Sequence, residues 1–357
     1  MSAQEQQTPT AHAVSPDSGA HWAAEGAWPV ADGVHRIPLP LPNDGLKSVN
    51  VYVLETDRGI TLIDGGWAIP AAREVLDRSL RSIGYSFTDI REFLVTHSHR
   101  DHYTMASVLG KETGAGISLG LGERGALAAV RRHDPDQFVA LLRRIGADDV
   151  AVHWGRDSGQ DIDPDAWRDP DVWLDGTIDL SVGQRLLNAI PTPGHTDGHY
   201  VFADRSDELL FSGDHVLPTI TPSIGFTLPR PGNPLGDFLT SLARVRELPD
   251  MRVLPAHGPV ASSTHERVDE LLAHHDERLQ ASLAAVPEGG GTPREVAGGL
   301  HWTRHETLFE RLDPFNQGLA ALETQAHLTV LAARGDLVAS TRDGVETYTR
   351  PMPTLEP

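Results

Sequence analysis

The stretch that decides the fold is LVTHSHRDHYT, residues 94–104. Its first three residues are apolar or β-branched and predict the end of a strand. Four potential metal ligands follow within six positions, namely His97, His99, Asp101 and His102. A stable core does not require such a concentration of imidazoles and carboxylates. The stretch therefore predicts a metal site at a strand end, and the rest of the chain must provide the remaining ligands.

Composition limits the kind of protein. The 357 residues include no cysteine, which excludes disulfides, thiolate ligands and a Cys nucleophile. Any metal must bind to His and carboxylate, a ligand set that suits Zn, Mn or Fe. The net charge of −20 disfavours broad binding of nucleic acid or anionic membranes. No apolar run approaches the roughly 20 residues of a membrane helix, and the first residues show no secretion signal, so we expect a cytoplasmic protein without membrane contact.

Strands and helices recur in two halves of the chain. In the first half, NVYVLETDRGITLIDGG predicts two strands, IPAAREVLDRSLRSIG a helix and IREFLVT another strand. In the second half, three strands lead to the helix PLGDFLTSLARVRELP and the strand MRVLPAHG. This repetition predicts an α/β protein with two sheets packed face to face and helices outside.

Three further candidate ligands follow apolar strands in the second half. His195 lies in PTPGHTDGH, Asp214 in LLFSGDH and His257 in VLPAHGP, each beside Gly or Pro. A single His at a strand end is more often structural than functional. Five His and two Asp in this arrangement suffice for two metal ions if Asp214 bridges them.

These residues resemble the HxHxDH motif and the later His, Asp and His of the metallo-β-lactamase-fold hydrolases. The resemblance covers residues 26–262 and implies an αββα sandwich. It implies one metal on His97, His99 and His195, a second on Asp101, His102 and His257, and Asp214 on both. Zn is the first expectation for the two divalent ions, with Mn and Fe as alternatives.

The resemblance also assigns supporting residues. Asp64 in TLIDGG matches a family carboxylate next to the ligands, and Asn50 lies on the family's first hairpin. The Gly pair that usually follows the DH of the motif is replaced by Tyr103-Thr104-Met105. We expect Asp64 and His199 to contact ligands from outside, with packing as the alternative for His199. The substrate-pocket candidates are Tyr103, His215 and Trp154.

The ligand set resembles the glyoxalase II and LACTB-two-like branch, which includes thioesterases, lactonases and nucleases. The absence of Cys and the presence of Asp214 disfavour the hydrolysis of β-lactam antibiotics. In the expected reaction, a hydroxide bridging two metals attacks a carbonyl, with Asp101, His102 and Asp214 as catalytic residues. A thioester of an acyl carrier or of glutathione type is the leading substrate. The alternatives are a lactone or ester hydrolase, an endoribonuclease, and a non-catalytic metal-binding protein.

Two segments lie outside the repeated halves. Residues 121–175 predict a helical insertion that acts either as a lid over an apolar substrate or as a surface helical pair anchored by Trp154, Trp167 and Trp173. Residues 263–357 resemble the C-terminal winged-helix module of the LACTB-two-like branch. Residues 1–25 are polar, lack a signal pattern and predict a disordered tail.

Charge bears on the role of the C-terminal module. From Ala261 onward the chain has fifteen acidic residues against eight arginines and no lysine, a net charge of −7. Because phosphate contacts provide most of the non-specific affinity for nucleic acid, such a module should bind it weakly. We expect the module instead to pack on the catalytic domain, to form a wall of the pocket or to form a homodimer contact. The expected partner is a small-molecule or acyl-carrier substrate.

Overall fold

The computed structural model describes residues 13–42, 45–132, 136–157, 163–228, 232–303 and 306–352. The side chains of residues 154–157 and 164–165 lie outside this description. No helix in the described part of the chain is long and apolar enough to cross a bilayer.

A small hairpin, β1 (Val14–Ser15) and β2 (Ala20–His21), precedes the sandwich. The carboxylate of Asp17 in its turn lies 2.8 Å from Nε of Arg36, and both side chains are fully buried. The expected disordered tail is therefore wrong for residues 13–25, and residues 1–12 lie outside the described part. The prediction failed because the segment itself is polar, and the residue that orders it, Arg36, lies outside the segment.

Among the residues that the structure describes, the first sheet has seven strands in chain order. The strands β3 to β6 are antiparallel, and β6 to β9 are parallel. Helices α1 (Pro70–Ser82) and α2 (Arg100–Thr113) connect the parallel strands. The strands are β3 (Trp28–Ala31), β4 (Val34–Pro40), β5 (Ser48–Thr56), β6 (Gly59–Ile63), β7 (Ile90–Leu94), β8 (Gly116–Gly120) and β9 (Val172–Leu174).

In its described residues, the insertion between β8 and the second sheet contains three helices, one more than predicted. They are α3 (Arg124–Arg132), α4 (Asp136–Arg144) and α5 (Asp148–Asp157), preceded by a 3-10 turn at Leu121–Glu123. The ring of Trp167 stacks on Tyr103 at 6.4 Å, and Trp173 packs on the same core. These tryptophans anchor the end of the insertion to the first sheet, as the second interpretation of the segment predicts.

The second sheet has five strands in the described part of the chain, β10 (Ile178–Val182), β11 (Arg185–Pro191), β12 (Tyr200–Asp204), β13 (Leu209–Gly213) and β14 (Arg252–Pro255). The first four are antiparallel. Strand β14 is parallel to β13 because helix α6 (Pro234–Arg246) returns the chain to the same edge.

The two sheets pack face to face around an apolar layer that includes Tyr52, Leu94, Phe202 and Phe211. A second apolar layer lies between the first sheet and α1 and α2, and a third lies between the second sheet and α6. The predicted αββα sandwich is therefore confirmed. Its polar strand ends are the sites where functional residues are expected.

The described part of the C-terminal segment contains three helices and two short hairpins. These elements are α7 (Thr264–Ala285), α8 (Pro293–Gly298), β15 (His301–Trp302), β16 (Thr307–Leu308), α9 (Pro314–Arg334), β17 (Val338–Arg342) and β18 (Val345–Thr349). Val268 and Leu328 belong to the same apolar layer as Phe238 and Leu242 of α6. The segment thus packs against α6, the helix that covers the second sheet. Its identification as a winged helix stays a prediction.

Candidate metal centre

The seven predicted ligands come from strand ends and loops that meet at one edge of the sandwich. His97 follows β7, and His99 is the N-cap of α2. Asp101 and His102 occupy the first turn of this helix. The remaining three come from the second sheet, with His195 between β11 and β12, Asp214 directly after β13 and His257 after β14.

The first group contains His97, His99, His195 and Asp214. Nδ1 of His99 lies 2.9 Å from Nε2 of His97 and 3.1 Å from Nε2 of His195. Oδ2 of Asp214 lies 3.4 Å from Nε2 of His195. Neighbouring ligands of a tetrahedral Zn site with bonds of about 2.0–2.1 Å are separated by about 3.3 Å. These three distances are close to that separation, and all four atoms lie within 4.8 Å of one another.

The second group contains Asp101, His102 and His257. Oδ2 of Asp101 lies 3.6 Å from Nε2 of His102 and 3.4 Å from Nε2 of His257. Oδ1 of Asp214 lies 3.6 Å and 3.4 Å from the same two nitrogens. Asp214 therefore presents one carboxylate oxygen to each group.

The centre fits a cation because buried ligand atoms lack hydrogen-bond partners. Within the described residues, Nε2 of His102, Nε2 of His257 and Oδ1 of Asp214 are buried and form no hydrogen bond. Buried polar atoms are normally paired, since each unpaired one costs free energy. Two nitrogen lone pairs and a carboxylate oxygen that converge in this way are a suitable donor set for a divalent ion.

Asp64 orients His102 from outside the ligand set. Its Oδ2 lies 2.8 Å from Nδ1 of His102, and its Oδ1 accepts the backbone N–H of Thr96 at 2.7 Å. Because a carboxylate accepts, Nδ1 of His102 carries the proton and Nε2 presents its lone pair to the centre. Asp64 has a φ of +61° at the end of β6, a left-handed conformation that Asp tolerates better than most residues.

Backbone carbonyls orient two other rings in the same way. Nδ1 of His195 lies 2.8 Å from the carbonyl of Ser223, and Nδ1 of His257 lies 2.8 Å from the carbonyl of Ser48. Asn50 holds the His257 loop, since its amide donates to the carbonyls of Pro255 and Gly258 at 2.9 and 3.0 Å. Strand β5, which carries Ser48 and Asn50, thus fixes the last candidate ligand.

Burial and opposite charges shift the pKa values in different directions. Burial, assisted by His195, lowers the pKa of His99 to about 3. Burial would also lower the pKa of His102, yet the carboxylates of Asp101, Asp64 and Asp214 raise it to about 10. Burial would raise the pKa of Asp101, but His102 and His257 hold it well below its usual range. In the metal-free protein Nε2 of His102 therefore binds a second proton, which a cation would displace to reach the lone pair.

His199 contacts the backbone of Asp214. Its Nε2 accepts the N–H of Asp214 at 3.1 Å, and its Nδ1 lies 2.8 Å from Oγ1 of Thr192. Since Nε2 accepts, Nδ1 carries the proton and donates to Thr192. His199 thus supports a candidate ligand and is also fully buried, so it combines the two roles that the sequence left open.

The structure corrects two of the three pocket candidates. Tyr103 is fully buried and donates its hydroxyl to the carbonyl of Arg168 at 2.6 Å, so it is a core residue. The reason is helical geometry, since residue 103 is rotated by about 100° from His102 around α2. His215 is also fully buried, with its ring 5.0 Å from Phe238. The side chain of Trp154 on α5 lies outside the described part.

Sequence reasoning missed Glu123. Its fully buried carboxylate accepts hydrogen bonds from residues beside His97, His99 and His195. The signal in the sequence is one acidic residue in GLGERG, directly after an apolar strand and between glycines. Only the fold shows that this turn lies against two ligand loops.

Comparison with known proteins agrees with this geometry. Residues 44–257 match the family model described as the Metallo-beta-lactamase superfamily. The chain is 31% identical over 263 residues to the Beta-lactamase-like protein 2 homolog of Caenorhabditis elegans, which covers 72% of each chain. A metallo-beta-lactamase family protein from Thermus thermophilus has a crystal structure with a TM-score of 0.74 and 29% identity. This similarity covers 90% of the present chain and 100% of the Thermus chain.

A relative of lower sequence identity has a name that states an enzyme activity. The Atrochrysone carboxyl ACP thioesterase of Aspergillus chevalieri is 25% identical over 281 residues, which are 76% of this chain and 74% of the relative.

Proposed function

Because the chain belongs to the metallo-β-lactamase superfamily, we propose that it is a dinuclear metal-dependent hydrolase that cleaves a thioester. The observation that carries this proposal is the position of Asp214, whose two carboxylate oxygens face two separate groups of ligands. A bridging carboxylate between two sets of His and Asp is the arrangement of a two-metal hydrolytic site.

His97, His99 and His195 would hold one divalent ion, Asp101, His102 and His257 the other, and Asp214 both. Zn is the first candidate, and Mn and Fe accept the same ligands. When bound, two such ions polarise a substrate carbonyl and lower the pKa of water from about 16 towards neutral.

The protein's own groups fix and orient the reacting molecules. Asp101 is deprotonated, because His102 and His257 lower its pKa, so it orients an attacking water by accepting a hydrogen bond. Asp214 sets the distance between the two ligand groups. Asp64 holds the His102 ring in place, so that its Nε2 faces the centre.

A thioester is the leading substrate for two reasons. The Aspergillus chevalieri relative is named as a thioesterase of an acyl carrier. A thiolate leaving group also needs little protonation, so cleavage does not depend on a dedicated proton donor. The net charge of −20 argues against RNA, the substrate of the endoribonuclease alternative.

The test is thiol release from acyl thioesters of increasing chain length on glutathione and on a pantetheine carrier. A thiol-reactive dye reports turnover by the metal-reconstituted protein, and the chain contributes no thiol of its own. Asp214→Asn removes one oxygen of the bridge. Asp204→Asn is the matched control, since Asp204 is a buried carboxylate at the C-terminal end of strand β12 and belongs to neither ligand group.

We expect turnover by the wild type and by Asp204→Asn, and its loss in Asp214→Asn. Silence of the wild type across the panel, with two metal ions bound, would exclude the thioesterase activity and favour lactones and then other esters. Turnover that survives in Asp214→Asn would contradict the two-metal mechanism.

A further inference from the structure

Glu123 is a buried carboxylate that joins the two halves of the sandwich at the candidate metal centre. It ends the 3-10 turn after β8, in the first half of the chain. Its side chain is fully buried, and it accepts hydrogen bonds from four neutral donors. Burial raises the pKa of Glu123, and the four donors act in the opposite direction.

The two oxygens of this carboxylate contact different ligand loops. Oε2 accepts the hydroxyl of Ser98 and, at 3.3 Å, its backbone N–H. Oε1 accepts the hydroxyl of Thr196 and, at 3.0 Å, the backbone N–H of Gly198. Ser98 lies between His97 and His99, and Thr196 follows His195. Oε2 is therefore bonded to the loop that carries His97 and His99, and Oε1 to the loop that carries His195.

The backbone around Glu123 is packed so closely that the 3-10 turn and the His195 loop can shift little relative to each other. A Cβ on Gly198 would lie 2.3 Å from the nitrogen of Glu123. A Cβ on Gly122 would lie 2.4 Å from the carbonyl oxygen of Asp197, and one on Gly120 would lie 2.0 Å from that of Gly198. Glycine at these positions lets the turn and the His195 loop meet, and the carboxylate then spans both loops.

We propose that Glu123 is a positioning residue that sets the separation of His97 and His99 from His195, and with it the affinity of the first metal site. The inference rests on the metal centre of the proposed function. Nδ1 of His99 and Nε2 of His195 lie 3.1 Å apart, although they come from opposite halves of the chain. The two loops come from distant parts of the chain. A side chain that forms hydrogen bonds with both of them therefore fixes the spacing of their histidines.

The second site provides an internal reference. Of its ligands Asp101, His102 and His257, the ring of His102 is oriented by Asp64 and that of His257 by the carbonyl of Ser48. The four hydrogen bonds of Glu123 go to none of these groups, so loss of its carboxylate should change one site more than the other. A purely structural defect would weaken both sites together.

The experiment titrates the metal-free protein with Co²⁺, whose visible absorption depends on its coordination geometry, and competes the bound ions with a chelator. Glu123→Gln keeps the shape of the side chain but replaces one accepting oxygen with a donor. Glu92→Gln is the matched control, because Glu92 is a partly buried carboxylate on β7 that bonds Ser118, away from the ligands. Thermal unfolding of the metal-free variants checks that they fold.

In Glu123→Gln we expect about a 10- to 100-fold loss of affinity at one of the two Co²⁺ sites, with a changed spectrum for that ion. The other site and the Glu92→Gln protein should behave as the wild type. Wild-type affinities at both sites in a folded Glu123→Gln would overturn the proposal, and so would an equal loss at both.

If Glu123→Gln fails to fold, Ser98→Ala and Thr196→Val take its place, since each removes one donor from one loop. Each of these two variants should bind Co²⁺ more weakly at the same one of the two sites. Wild-type Co²⁺ affinities in both variants would overturn the positioning role of Glu123. A wild type that binds no Co²⁺ would instead refute the metal centre itself, which separates the failure of the proposed function from the failure of this inference.

Discussion

Nδ1 of His102 lies 2.8 Å from Oδ2 of Asp64, and both side chains are buried. This contact joins the first turn of α2 to the end of strand β6. It also fixes which nitrogen of His102 is free for a cation, because the carboxylate accepts the proton of Nδ1. The orientation of one ligand thus depends on a residue that comes 38 positions earlier in the chain.

Asp64→Asn should lower the affinity for divalent metal by about 10- to 100-fold. Asn tolerates the left-handed backbone at this position, so the loss reports the carboxylate and not the backbone. Metal competition with a chelator measures the effect, and Asp204→Asn is the control. An unchanged affinity in a folded Asp64→Asn would show that His102 needs no carboxylate partner.

Gly213→Ala should reduce metal binding because the added Cβ would displace His199, in addition to the strain that a positive φ imposes on alanine. A Cβ there would lie 2.7 Å from Nε2 of His199, the atom that accepts the N–H of Asp214. Gly176→Ala is the control, because Gly176 also has a positive φ of +70° but has nothing within 4 Å of its Cβ position. Each variant should lose about 1–2 kcal/mol of stability from the left-handed backbone, and only Gly213→Ala should lose metal as well. Equal metal content in both would contradict the role of His199.

Asp17→Asn should lower the free energy of unfolding by about 3 kcal/mol, because it leaves the Arg36 guanidinium buried with an incomplete partner. Urea denaturation measures this change. Glu25→Gln removes an exposed ion pair with Arg78 from the same N-terminal segment, and it should have little effect. If the two variants are equally stable, residues 13–25 do not contribute to the fold as described.

Two buried histidines, His275 on α7 and His327 on α9, should make the protein less stable in acid. Burial, with His327 beside it, lowers the pKa of His275 to about 3, and burial lowers the pKa of His327 to about 4. The unfolded chain, with a His pKa of about 6.5, binds these protons first. This part of the stability is therefore complete above about pH 6.5 and is lost as the pH falls towards 4.

The His275→Gln variant tests this pH dependence. Between pH 7.5 and 5 the free energy of unfolding of the wild type should fall by about 1–2 kcal/mol more than that of His275→Gln. Urea denaturation at the two pH values measures the difference. His301→Gln, which changes an exposed ring, should follow the wild type. A wild type and a His275→Gln variant with the same pH dependence would show that His275 is not held neutral.

The sequence predicted the sandwich and the seven candidate ligands that the structure brings together, because these features depend on local patterns. Apolar strands that end in His or Asp beside Gly can be recognised without a structure, as at His195 and His257. The errors concern contacts between distant parts of the chain. The order of residues 13–25 depends on Arg36, the role of Glu123 depends on a loop 75 positions later, and the burial of Tyr103 depends on Trp167 of the insertion.

The central claim is that Asp214 joins two metal ions at one edge of the sandwich. Crystals of the protein grown with Zn²⁺ test it most directly, through anomalous diffraction measured above and below the Zn absorption edge. We predict two anomalous peaks, one among His97, His99 and His195 and one among Asp101, His102 and His257, with one oxygen of Asp214 bound to each. A single peak, or two peaks that Asp214 does not join, would contradict the account.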